Sequence, residues 1–194
     1  MSGGGVVLAL AGGLVCLLAV VVVVWALVTY NRLVRQRNQV EASWAQIDVQ
    51  LKRRHDLIPN LVESVKGYAA HERGTLDAVV MARNNAVTAA QGTTVSGRAE
   101  AENILTQTLG RLFALVEAYP DLKASQNFAA LQAELANTED KIAYARQFYN
   151  SAVQTINTSV QTLPTNLIAG VGGFRAMDYF AADGGERGPV QVRF

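Results

Sequence analysis

The first 31 residues carry no charged side chain; every Lys, Arg, Asp and Glu of the 194-residue chain lies at Arg32 or later. Within that stretch residues 6–28 are almost wholly apolar. As a helix at about 1.5 Å per residue they would measure roughly 35 Å, enough to cross a bilayer with some tilt. A cleaved signal peptide fits poorly: the run is too long, no basic residue precedes it, and no small-x-small site follows it. Cys16, the lone cysteine, follows Val15 where a lipoprotein site needs a small residue, so it reads as an inert apolar member of the span. Trp25 and Tyr30 sit near one end, where amphipathic rings favour the membrane interface. Arg32, Arg35 and Arg37 follow at once, and such an excess of cations stays in the cytoplasm. The expectation is a single-pass anchor (residues 1–30) with its N-terminus outside and the rest of the chain cytoplasmic.

Beyond the anchor, alternate steps of three and four from Leu33 land on Arg37, Val40, Trp44, Ile47, Leu51, Arg54, Ile58, Leu61, Val65 and Tyr68. All but the two arginines are apolar, the seam of a helix packing on other helices at a shallow angle. Trp44 and Ile47 are therefore expected in a core. His55-Asp56 followed by Pro59 offers two readings. A sharp turn there, with Asp56 as N-cap and a second helix over 57–90, is preferred; one kinked helix through Pro59 is the alternative. Gly67 and Gly74 weaken the second helix. Residues 91–97 are a loop by composition. A third helix is expected over 98–118, with Leu105, Leu109, Leu112, Val116 and Tyr119 on one side and Pro120 ending it. A fourth, capped near Ser125, keeps a seam from Phe128 through Leu135, Ile142, Tyr149 and Ile156 to Leu163, where Pro164 stops it. No strand-like alternation occurs. The fold class expected is all-α: a transmembrane helix followed by an antiparallel four-helix bundle over residues 31–163. Residues 164–194 form an apolar glycine-rich segment and a mobile tail.

Two long strings are distinctive, NQVEASWAQIDVQLKRRHDLIPNLVESVKGYAAHE and RQFYNSAVQTINTSVQTLPTNLIAGVGGF, the latter followed by DYF. They stand at opposite ends of the part beyond the anchor and resemble the two signatures of the LemA family of bacterial membrane proteins. The resemblance implies a single anchor in the bacterial cell (inner) membrane, a cytoplasmic helical domain and no established enzymatic activity.

The residues themselves suggest no chemistry. No H-E-x-x-H, G-x-S-x-G or P-loop pattern occurs. His55 beside Asp56 and His71 beside Glu72 point in different directions on a helix, so both histidines read as solvated or capping. One cysteine and two histidines argue against a metal site, no cofactor is expected, and a formal charge of +1 gives no footprint for nucleic acid. Candidate partner or membrane contacts are the basic run Lys52, Arg53 and Arg54 and the apolar Leu167, Ile168, Phe174 and Phe180. A turn at His55–Asp56 would bring the segment after Pro164 back to the membrane-proximal end. There it is expected to cover the bundle or a neighbouring subunit rather than insert deeply, because irregular backbone cannot satisfy its hydrogen bonds in lipid. The function expected is a membrane-anchored, non-enzymatic scaffold or adaptor that self-associates and contacts an unknown protein partner. The rivals are a membrane-remodelling oligomer and, less favoured, an enzyme with a site assembled across helices.

Overall fold

The computed structural model describes residues 3–69, 71–92 and 94–180, and among these every regular element is helical. The expected mobile tail over 182–194 lies outside the described residues.

Helix α1 (Gly3–Lys66) is a single element of 64 residues. Its large apolar side chains from Leu10 to Val28 are exposed, and it is long and apolar enough to cross a membrane. The expected turn at His55–Asp56 does not occur. A proline inside a helix removes the N–H that would reach the carbonyl four residues back, here that of His55. Arg83 replaces the missing donor: its Nε donates to the His55 carbonyl at 3.2 Å. The helix ends instead before Gly67, a poor helix former. The chain then turns, with the Tyr68 and Ala69 N–H groups both donating to the Val65 carbonyl. The second helix is correspondingly shorter than 57–90: α2 spans Arg73–Ala89.

Helix α3 (Val95–Val116) starts three residues before the expected position because Thr94 caps it, its Oγ1 accepting from the Gly97 N–H at 3.2 Å. Pro120 opens a short helix, α4 (Pro120–Lys123), where a missing N–H costs nothing. Helix α5 (Gln126–Gln161) follows the predicted seam from Phe128 to Ile156 but stops short of Leu163, which is exposed, and α6 (Thr165–Val171) forms where irregular backbone was expected. The α6 helix closes with Gly173 at φ +71°, the Phe174 N–H reaching the Ala169 carbonyl at 2.9 Å. This is the Schellman stop, and it needs a residue without Cβ at that position.

The chain divides into two compact units. One comprises residues 1–41 and 152–177; it buries Leu33, Val40, Val153, Ile156 and Ala169. Within it the Tyr30 and Phe174 rings meet edge-on, 5.6 Å between centroids. Asn157 on α5 holds Met177 by a two-point clamp: its Nδ2 donates to the Met177 carbonyl at 2.9 Å and its Oδ1 accepts from the Met177 N–H at 2.8 Å. Removing that clamp by Asn157→Ala would leave a backbone donor and acceptor without partners. At about 1 kcal/mol or more per group, the loss should be about 2–3 kcal/mol. Asn157→Asp, which retains the acceptor only, should fall between. The check is the urea midpoint of the detergent-solubilised chain together with the rate of tryptic cleavage at Arg175.

The other unit comprises residues 42–151 with 178–194. Its core takes Ile58, Leu61 and Val65 from α1, Leu76, Val79, Ala82 and Ala86 from α2, Leu105, Leu109, Leu112 and Val116 from α3, and Phe128 and Leu135 from α5. Leu122 of the short α4 closes the same cluster. Ile47 is fully buried as expected, whereas Trp44 is half-buried. Cross-helix pairs fix the register. Asp48 meets Arg98 and Arg54 meets Glu102, so α3 runs along α1 in the same sense. Trp44 meets Tyr149 and Arg54 meets Glu139, so α5 runs the other way.

Candidate functional site: a buried charge cluster and an aromatic groove

Arg54 lies on the apolar seam of α1 and is only 1 % exposed. An arginine cannot shed its proton, so at a core position it needs carboxylates and further acceptors around it. It has them from two helices. On α3, Nη2 pairs with Glu102 Oε2 and also donates to the Glu102 carbonyl at 3.3 Å, while Nη1 donates to Thr106 Oγ1 at 2.9 Å. On α5, Nη1 donates to Glu139 Oε1 at 2.5 Å. The second Glu102 oxygen meets His55 Nε2 at 2.9 Å. His55 is therefore a buried partner of Glu102 and not the solvated or capping residue expected. Its helix neighbour Asp56 points away and pairs with Lys52 at 2.5 Å. The basic run is also redistributed: Lys52 and Arg53 face Asp56 and Glu134, and Arg54 is interior, so it cannot be the surface contact expected of it.

Burial opposes ionisation of Glu102, but His55 and Arg54 together outweigh it and hold this carboxyl below its ordinary value. The depressed pKa means that Glu102 stabilises the fold at pH above the ordinary glutamate value of about 4.3, and that this stability is lost as pH falls through the folded-state value. The stability difference between the parent chain and Glu102→Gln should therefore be largest near neutrality and shrink in that acid window. Urea titrations of both proteins across pH 3–7 test this. A difference independent of pH would mean that Glu102 is not the titrating group.

A second feature of this unit is aromatic. Trp44 packs on Tyr149 and Phe180 with centroids 5.2 and 5.7 Å apart, and Arg98 and Arg146 stack over the Trp44 and Phe180 rings. Asn150 repeats the clamp seen at Asn157, its amide exchanging bonds of 3.1 and 2.9 Å with the Phe180 carbonyl and N–H. Phe180 is thus interior rather than a surface contact. Sequence reasoning passed over Asn150 and Asn157; the available signal was two amides seven residues apart, on one face of a helix, just ahead of an aromatic tail. Burial raises the Tyr149 pKa above its usual value, with Asp178 adding to the effect.

Between α1 and α5 a groove of about 850 Å³ opens to solvent. Ala45, Gln46 and Ala145 are among its lining residues, with Val49, Tyr144 and Phe148 adding large exposed apolar surface. Of the other predicted contacts, Leu167 is exposed, and Ile168 and Phe174 are half-buried.

The LemA family profile matches residues 43–194, most of the chain. The chain belongs to the LemA family. Two magnetosome proteins, MamQ 1 and MamQ 2 of Paramagnetospirillum magneticum, are each 28 % identical to this LemA protein over 177 residues, covering 79 % of it. The LemA chain spans 65 % of the length of each. Magnetosome protein MamQ of Magnetospirillum gryphiswaldense is 26 % identical over 93 % of this chain and 74 % of its own. Protein LemA of Metamycoplasma hominis is 27 % identical over 72 % of this chain and 63 % of its own. None of these names denotes an enzyme.

Proposed function

We propose that this LemA protein is a single-pass membrane protein whose cytoplasmic part, an antiparallel four-helix bundle, works by contact rather than catalysis, as a self-associating scaffold. The observation that carries this reading is the groove between α1 and α5. Tyr144 is 74 % and Val49 62 % exposed, and Ala45 and Ala145 line the same groove. Apolar surface of this kind is costly in water and marks protein contact. Large and small apolar residues on one patch suit the isologous contact of a two-fold interface, in which the same patch serves both copies. An anchor that holds every copy in one plane with one orientation raises the local concentration for that contact. Arg32, Arg35 and Arg37, just after the apolar run, favour the cytoplasmic side of the bacterial inner membrane for the bundle. The counter-running α5 supports the bundle topology, and the burial of Arg54, His55 and Glu102 against one another favours a structural over a catalytic role. The name magnetosome protein, carried by three of the relatives, fits a membrane-associated setting.

The test uses the full chain with Cys16→Ser and Tyr144→Cys in native membranes, treated with a short bismaleimide. A product at twice the 20.8 kDa chain mass, lost in Tyr144→Cys/Phe148→Glu, is expected. Monomer at every expression level would overturn self-association through this face.

A further inference from the structure

Helix α6 buries Ala169 and half-buries Ile168 but turns two large apolar side chains outward: Leu167 is 62 % and Val171 93 % exposed, with Leu163 just ahead of the helix also exposed. A helix meant for water is arranged the other way round. What covers this face follows from its place in its own unit. Phe174, which the Schellman stop sets at the end of α6, lies against Tyr30. Tyr30 stands two residues beyond Val28, where the exposed apolar run of α1 ends, and two before Arg32. That is the level at which a spanning helix passes from hydrocarbon to headgroups.

Charge points the same way. The sole acid in residues 1–41 and 152–177 is Glu41, and it is paired with Arg37 at 3.0 Å. Arg32, Arg35 and Arg175 are exposed around this level. A stretch of residues whose exposed cations outnumber its single, already paired acid suits anionic lipid headgroups. The usual objection to membrane contact here, unsatisfied glycine-rich backbone, is reduced, because residues 165–171 are helical and the N–H groups of Gly172, Gly173 and Phe174 serve the carbonyls of Ile168, Gly170 and Ala169 at the helix end.

We propose that α6 is a second membrane contact, an interfacial helix whose Leu163, Leu167 and Val171 enter an anionic bilayer surface beside the anchor, with Arg32, Arg35 and Arg175 on the headgroups. This rests on the reading of α1 as a membrane span. Its physical role is to fix the anchor's depth and rotation at two points instead of one.

The experiment uses the full chain with Cys16→Ser, reconstituted in vesicles containing phosphatidylglycerol, with an environment-sensitive fluorophore at Val171→Cys or, separately, at Val20→Cys. Lipids carry a quencher near the headgroups or near the chain ends. At residue 171 a blue shift is expected, with greater loss of emission to the shallow quencher; at residue 20, greater loss to the deep one. Replacing phosphatidylglycerol by phosphatidylcholine should reduce the shift at 171 and leave residue 20 unchanged. Aqueous emission at 171 with normal quenching at 20 overturns the interfacial helix alone. No quenching at 20 overturns the span and the proposal with it. Shielding at 171 that follows protein density and ignores the quenchers would assign the face to a second copy and overturn the lipid proposal.

Discussion

Arg54→Ala should lower the stability of the folded chain by about 3–5 kcal/mol, the cost of removing one partner from a buried ion pair. The loss is large because of what remains. Glu102 would stay interior with His55 as its remaining side-chain partner among the described residues, and Thr106 and Glu139 would lose the guanidinium that joins α1 to α3 and α5. Arg54→Lys should recover only part of the loss, since an ammonium cannot reach Glu102, Glu139 and Thr106 with a rigid fork. Arg54→Met with Glu102→Leu should be far milder than Arg54→Ala alone, because the uncompensated charge is gone. Urea unfolding in detergent measures all three. A loss below about 1 kcal/mol for Arg54→Ala would mean that the cluster is open to water.

Phe180→Ala should cost about 3–5 kcal/mol, as truncation of a buried aromatic does. Phe180 is 1 % exposed, touches the Trp44 ring, lies beneath Arg146, and is fixed by the Asn150 amide at both of its backbone groups. The signal to follow is the emission of Trp44, which would lose one of its two ring neighbours; the second tryptophan, Trp25, lies in the apolar run and provides the reference. Phe180→Leu should retain more than half of the stability. A negligible effect of Phe180→Ala on both stability and Trp44 emission would return this residue to the surface role its sequence context suggested.

The helical class, the apolar N-terminal helix and most buried positions of α1, α3 and α5 were legible because period alone dictates which residues share a face. Arg54 was legible in part: it stood on the seam, and an arginine there demands carboxylates, but its neighbours Lys52 and Arg53 made it look like a solvated run. Which carboxylates answered it depended on contacts 48 and 85 residues away, beyond any local pattern. Pro59 misled for the same reason. The rule that proline opens a helix assumes that nothing else will serve the orphaned carbonyl, and Arg83 serves it from another element. The break moved to Gly67, a residue recognised as weak but placed inside a helix. In α6, glycine content suggested irregularity, whereas Gly172 and Gly173 only terminate the helix, and Gly170 lies within it.

The span of the Arg54 contacts also bears on how the chain is made. Arg54 and Glu139 are 85 residues apart, so at about 5–20 residues per second the ribosome needs roughly 4–17 s to supply the second carboxylate after the arginine. For the first 48 residues of that interval the arginine has neither carboxylate, and for the remainder it has only Glu102. A nascent chain halted before Glu139 cannot complete the cluster, and it presents an apolar, cationic helix beside whatever machinery is delivering the apolar run to the bilayer. Synthesis of this protein therefore carries a window of exposure set by topology rather than by folding speed, and that window closes only when α5 has emerged.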